Sequence, residues 1–210
     1  MSDQASGRSV KPVNQKMRFW IVRLAVLACV PLIVLAMPVA AGYPLLHRFF
    51  KVLGTLLLIA AVIYRFWAIL YIGGRKNQQV VQDGPYSMSR HPLYFGTTLG
   101  ALGFGLMLGS VLMSVLLGGV ALVILNATAR REERFLRAEF GPAYDTFAQR
   151  VPNRILPQTA RFRTEPEVTF SPRILRYNLA DALGFLICIP LVEIVEGLRS
   201  LGLPGAFPVF

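Results

Sequence analysis

The feature that most constrains this chain is the stretch 92–129, in which no charged residue occurs. Wound as one straight helix it extends roughly 57 Å, nearly twice the hydrocarbon thickness of a bilayer. It must therefore fold into two helices joined by a tight turn. Gly109-Ser110 lies near the midpoint and supplies turn residues. The halves are expected at about 93–108 and 111–129. Gly96, Gly100, Gly103, Gly105, Gly118 and Gly119 allow the close helix contact that packs helices in lipid. A phosphate-binding glycine loop is excluded, because no P-loop lysine follows at the required spacing.

Composition agrees. The chain of 210 residues is 54% hydrophobic and 16% charged, with a mean hydropathy of +0.53. Soluble domains are about 45–50% apolar and about 25% charged. A disordered chain, a disulfide scaffold and a polar-faced solenoid are excluded, and an all-α polytopic membrane protein of about five transmembrane helices is expected. Cys29 and Cys188 each lie in an apolar run and read as packing residues.

The other spans follow from gaps in the charge pattern. Residues 24–46 carry no charge and form the first expected span, kinked at Pro31 and Pro38. A signal peptide ending near Val39-Ala40-Ala41 is the competing reading, and the spans that follow favour a retained helix. The second span is expected at about 49–72, ending at Gly73-Gly74. It contains Arg65, two turns from its end, which either snorkels to the surface or serves a function. A fifth apolar stretch, 179–198, includes Glu193 and Glu196 and either spans or lies in the interface. The organisation is thus a basic tail (1–18), two N-terminal membrane helices (19–72), a core of polar loop, hairpin and polar helices (73–165), and a C-terminal apolar helix (166–210).

The net charge of +11 comes from 22 Lys and Arg against 11 Asp and Glu. Segment 130–167 alone has eight arginines against six acids. Alternating the spans puts the tail, segment 73–91 and segment 130–167 on one side, which the positive-inside rule makes the cytoplasm. The charge is therefore an orientation signal. No aromatic-interleaved basic stripe is present, so no nucleic-acid partner is expected.

Two polar segments thus end adjacent helices on one face. One reads Gly84-Pro85-Tyr86-Ser87-Met88-Ser89-Arg90-His91-Pro92-Leu93-Tyr94-Phe95-Gly96. The other contains Glu132-Glu133, Phe140-Gly141, Tyr144 and Arg150-Val151-Pro152. Pro92 suits the first turn of a helix, whose free N–H groups and positive dipole end favour an anion beside Arg90 and His91. Tyr94 falls on the same face. Glu132 and Glu133 suit a cationic partner. A ligand with both a carboxylate and an ammonium, such as S-adenosylmethionine, satisfies both ends. A plain surface cap, with the two glutamates balancing nearby arginines, is the alternative. No His, Cys or carboxylate cluster has zinc spacing, so no metal is expected.

These residues resemble the R-H-P-x-Y-x-G segment and the Glu-Glu second signature of the isoprenylcysteine carboxyl methyltransferase family. That family belongs to a membrane methyltransferase superfamily that also includes phospholipid N-methyltransferases. The resemblance covers about 50–157. It implies S-adenosylmethionine-dependent methyl transfer to a lipid-like or lipidated acceptor at the membrane, foremost the carboxylate of an isoprenylcysteine-like molecule. It further implies that Gln78, Gln79, Val80, Val81, Tyr86, His91, Pro92, Leu93, Tyr94, Glu132 and Glu133 bind the cofactor. Arg90, His91 and Glu132 are the catalytic candidates, and Arg65, Arg130 and Arg131 the acceptor-binding ones. Family members often have His where Gln78 stands, and Thr128 stands where eukaryotic members place a substrate arginine. Segment 145–165 is expected to close the cleft. Competing readings are a phospholipid N-methyltransferase, a reductase of the sterol-reductase type and a non-catalytic scaffold.

Overall fold

The computed structural model describes residues 36–38, 42–73, 79–168, 170, 172–200 and 207–209. The tail 1–18, Cys29, most of the expected first span and Gln78 lie outside them. The described residues are overwhelmingly helical. Its elements are β1 (Ala36–Pro38), α1 (Pro44–Ile72), α2 (Pro85–Met88), α3 (Pro92–Met107), α4 (Val111–Phe140), α5 (Pro142–Arg150), α6 (Pro172–Leu183), α7 (Cys188–Ser200) and β2 (Phe207–Val209).

The uncharged run divides where its length requires. Gly109 takes φ 79°, a left-handed conformation that suits glycine, and Ser110 caps α4 by accepting from the Met113 N–H. The two helices return side by side, with the Ser114 hydroxyl donating to the Leu102 carbonyl. The fourth helix runs well past the apolar stretch, to Phe140, before Gly141-Pro142 ends it and starts α5.

Helix α1 lies antiparallel to α3. Arg65 meets the start of α3 at Leu93 and Thr97, whereas Gly54 meets its end at Gly103 and Met107. A Cβ on Gly54 would lie 2.5 Å from the Gly103 carbonyl, so the backbones touch there. Leu58, Met107, Leu108 and Val192 form the central apolar cluster, and Cys188 packs against it as expected of a packing residue. Outward, Phe49, Val52, Leu56, Ile59 and Ile63 on α1 and Val111, Leu112, Val115 and Val123 on α4 are exposed. Helices α1 and α4 are each long and apolar enough to cross a membrane. Large exposed aliphatic bands on such helices fit a lipid solvent.

Two expectations change. Within the expected first span, Ala36–Pro38 is extended and pairs in parallel with Phe207–Val209, and the next helix starts only at Pro44. Proline disfavours the helical region for the residue before it, so Met37-Pro38 resists continuing a helix. The apolar stretch 179–198 is likewise not one helix. The chain tightens into a 3-10 segment at Gly184–Ile187 between α6 and α7. Gly184 is a poor helix former, and the Pro190 ring clashes with a carbonyl one turn back. The C-terminal segment runs antiparallel along α1: Asp181 pairs with Arg65, Val192 packs by Leu58, and Glu196 meets Lys51 and His47.

Candidate active site

His91 is the N-cap of α3, and Pro92 occupies its first turn. The site is assembled on that end by a strap from the polar linker. The Arg90 and His91 amides donate to the carbonyls of Asn153 and Arg154, at 3.0 and 2.8 Å. The Gln158 amide donates to Met88, and the Gly84 amide to Arg163. The Arg163 amide donates back to the Ser87 hydroxyl at 2.9 Å. Residues 153–163 thus lie bonded along 84–91, within the segment expected to close the cleft. Gly84 fits only as glycine. It has φ 59°, and a Cβ there would lie 2.4 Å from the Tyr71 ring.

The two glutamates of α4 have different surroundings. Glu133 is buried inside a cage of cations. Arg90 Nε and Arg154 Nε each donate to Oε1 at 2.9 Å, and Arg154 Nη2 donates to Oε2 at 3.1 Å. His91 Nε2 lies 3.5 Å from Oε1. Burial pushes the Glu133 carboxyl up, but hydrogen bonds from His91, Arg154 and Arg90 outweigh it and hold it well below the usual carboxylate range. It stays ionised. Arg90 is equally committed, since Nη1 also donates to the carbonyls of Ala148, Val151 and Pro152. Their bonds lock α3, α4 and the linker together.

Glu132, by contrast, is only partly covered, and its Oε2 lies 3.6 Å from His91 Nδ1. The Tyr94 ring stacks on His91 with centroids 5.2 Å apart and planes 6° from parallel. The Tyr86 hydroxyl is buried with no hydrogen-bond partner. Burial raises its pKa far above the usual range, with Tyr64 and Glu132 adding and Arg65 subtracting, so it remains a neutral donor. His91, Tyr94, Glu132 and an unsatisfied Tyr86 hydroxyl therefore share one corner.

The remaining expected residues divide. Gln79, Val80 and Val81 line an open cleft of about 650 Å³ together with Arg150, Arg163 and Glu165. That volume is in the range of small-molecule sites. Neither His91 nor Glu132 lines it, so the two groups form distinct parts. Val80 packs on Tyr144, Phe147 and Val151, while Val81 packs with Tyr86 and Leu93 against Ala68 and Tyr71. Pro92 is buried at the helix start. Arg130 and Arg131 are exposed on α4. Arg65 does not snorkel. It is 8% exposed and donates to Leu93, Thr97 and Asp181.

Arg154, which also donates to Asn126 at 3.1 Å, was not anticipated from the sequence, nor was Asp181. Both lie outside helices that the hydropathy pattern defines around the motif. The only available signal was a lone arginine shortly after Val151-Pro152.

Comparison with known proteins bears on this region. Residues 49–143 match the phospholipid methyltransferase family. The chain is 36% identical over 141 residues to the cobalt-zinc-cadmium resistance protein CzcN of Cupriavidus metallidurans, covering 67% of this chain and 64% of that protein. It is 35% identical over 143 residues to the nickel-cobalt-cadmium resistance protein NccN of Alcaligenes xylosoxydans xylosoxydans, covering 68% and 66%. The chain thus spans just under two thirds of the length of these relatives. No solved structure matches. The matched residues 49–143, which include most of α1, all of α3 and α4, His91 and Glu132, make this part of the chain similar to the phospholipid methyltransferase family, a member of the membrane methyltransferase superfamily.

Proposed function

We propose that the protein is an integral membrane, S-adenosylmethionine-dependent methyltransferase acting on a lipid-like or lipidated acceptor. The carboxylate of an isoprenylcysteine-like molecule is the first candidate acceptor. The amine of a phospholipid is the second, favoured by the family match. The observation that carries the reading is the corner formed by His91, Tyr94, Glu132 and the unpartnered Tyr86 hydroxyl at the start of α3.

The residues fit the cofactor. The partly covered Glu132 carboxylate suits an ammonium, the first turn of α3 suits a carboxylate, and the Tyr86 hydroxyl lacks a partner that a polar ligand would supply. When bound, S-adenosylmethionine supplies a methyl group on a positively charged sulfur. His91 orients the corner through Glu132 and Tyr94, and Glu133 with Arg90 and Arg154 holds His91 in place. The strap 153–163 backs the corner through its hydrogen bonds to 84–91. Alignment and desolvation are the main demands of such a transfer, and a rigid, caged scaffold meets both. The positive-inside rule orients this face to the cytoplasm. Among the described residues no group of three or more His, Cys, Asp or Glu side chains is gathered to hold a metal ion.

The test is calorimetry of the purified chain in detergent with S-adenosylmethionine and S-adenosylhomocysteine, followed by incubation of labelled cofactor with phospholipids and prenylcysteine analogues. Binding and label in the lipid fraction are expected. Nicotinamide binding in their place would instead support the reductase, and binding of neither ligand the scaffold.

A further inference from the structure

Arg65 is a buried cation on the face of α1 that meets α3. The stem passes over Gly96, where a Cβ would lie 2.6 Å from Arg65 Cγ. Nη1 donates to the Thr97 hydroxyl at 2.6 Å and to the Leu93 carbonyl at 3.3 Å. Nη2 pairs with Asp181, while Nε is buried without a partner. The Phe185 ring covers the guanidinium at 4.8 Å and itself sits against Gly100.

The pair is lopsided. The Arg65 side chain is 10% exposed and that of Asp181 is 71% exposed. A buried guanidinium needs an anion, because leaving it unpaired is costly. Asp181 loses little by returning to water. Exposed Leu183 and Ile187 provide apolar surface on the elements that carry Asp181 and Phe185, α6 and the 3-10 segment. The Arg65 partners Leu93 and Thr97 belong to the first turns of α3, whose cap is His91.

We propose that Arg65 is a headgroup anchor: it binds the anionic head, phosphate or carboxylate, of the lipid-like acceptor, which displaces Asp181, the resident counter-ion. The acceptor's chain lies along the apolar surface of α6 and the 3-10 segment. The proposal deepens the methyltransferase reading and rests on it for the identity of the ligand as acceptor. Asp181 competes with the head, so the resident pair keeps an unoccupied anchor satisfied and selects for acidic lipids.

The test is titration of the full chain, in a neutral maltoside detergent, with dodecyl phosphate, dodecanoate and inorganic phosphate. Wild type should bind both amphiphiles. Inorganic phosphate, having no chain, should bind far more weakly. Asp181→Asn should tighten both amphiphiles about fivefold or more, because the competing closed pair is gone. Arg65→Gln should lose them. An Asp181→Asn variant that binds no more tightly, a folded Arg65→Gln variant that binds like wild type, or inorganic phosphate that matches dodecyl phosphate each overturns the anchor. Where Arg65→Gln fails to fold, the Asp181→Asn result decides. The same samples are titrated with S-adenosylhomocysteine. Amphiphile tightening without S-adenosylhomocysteine binding overturns the methyltransferase reading and spares the anion site; the converse overturns the anchor alone.

Discussion

Arg154 grips Glu133 with two parallel hydrogen bonds, Nε to Oε1 at 2.9 Å and Nη2 to Oε2 at 3.1 Å. The pair ties the linker after α5 to the polar extension of α4, and the backbone carbonyl of the same Arg154 receives the His91 amide. One residue therefore fixes both the caged glutamate and the cap of the site helix.

Removing that grip should be costly. Arg154→Ala leaves the buried Glu133 with fewer cations, and loss of a buried pair's partner costs about 3 kcal/mol. Denaturant unfolding in mixed micelles measures it. Arg154→Lys should recover only part, since a lysine cannot make the two-pronged contact.

Acid should weaken the same cage. The folded Glu133 carboxyl lies below its ordinary value of 4.5. Its stabilisation is therefore complete above about pH 5 and is lost progressively as pH falls below that value toward the lower folded one. Melting temperature measured between pH 7 and pH 3 should fall more steeply in wild type than in Glu133→Gln. Parallel curves would contradict the cage.

The partly covered glutamate should behave differently. Glu132→Ala and His91→Ala should each weaken S-adenosylhomocysteine binding about tenfold or more, with little change in melting temperature for Glu132→Ala. Calorimetry is the readout, and unchanged affinity in both would misplace the corner.

Backbone geometry offers an independent check on the strap. Gly84→Ala combines a positive φ with overlap on the Tyr71 ring and should destabilise by about 2 kcal/mol or more. Adding Tyr71→Ala relieves the overlap but not the φ, so the double variant should recover part of that cost. Full recovery would show that only the ring matters.

Much was legible in local pattern. An uncharged run too long for one helix requires a turn, and the turn falls at Gly109 and Ser110. The start of α3 at Pro92 and the end of α4 at Gly141 follow from proline and glycine chemistry. The nearness of His91 to Glu132 was legible through the hairpin that joins them. The roles within that cluster were not. Adjacent glutamates on a helix point about 100° apart, so Glu133 turns into the arginine cage and Glu132 remains partly open. Only packing shows which is which.

The sequence by itself determined the apolar character of α1 and α4, the bounds of α3 and α4 and the place of the hairpin between them, because hydropathy, proline and glycine act locally. Tertiary structure decided which charges are consumed and which remain available. Arg90, expected as a catalytic candidate beside an anion, is consumed by Glu133 and three carbonyls. Arg65, expected to snorkel or serve a function, is buried against Asp181 from a segment 116 residues later. Charge pairing at such separations depends on three-dimensional proximity and burial, to which no local pattern in the chain is sensitive.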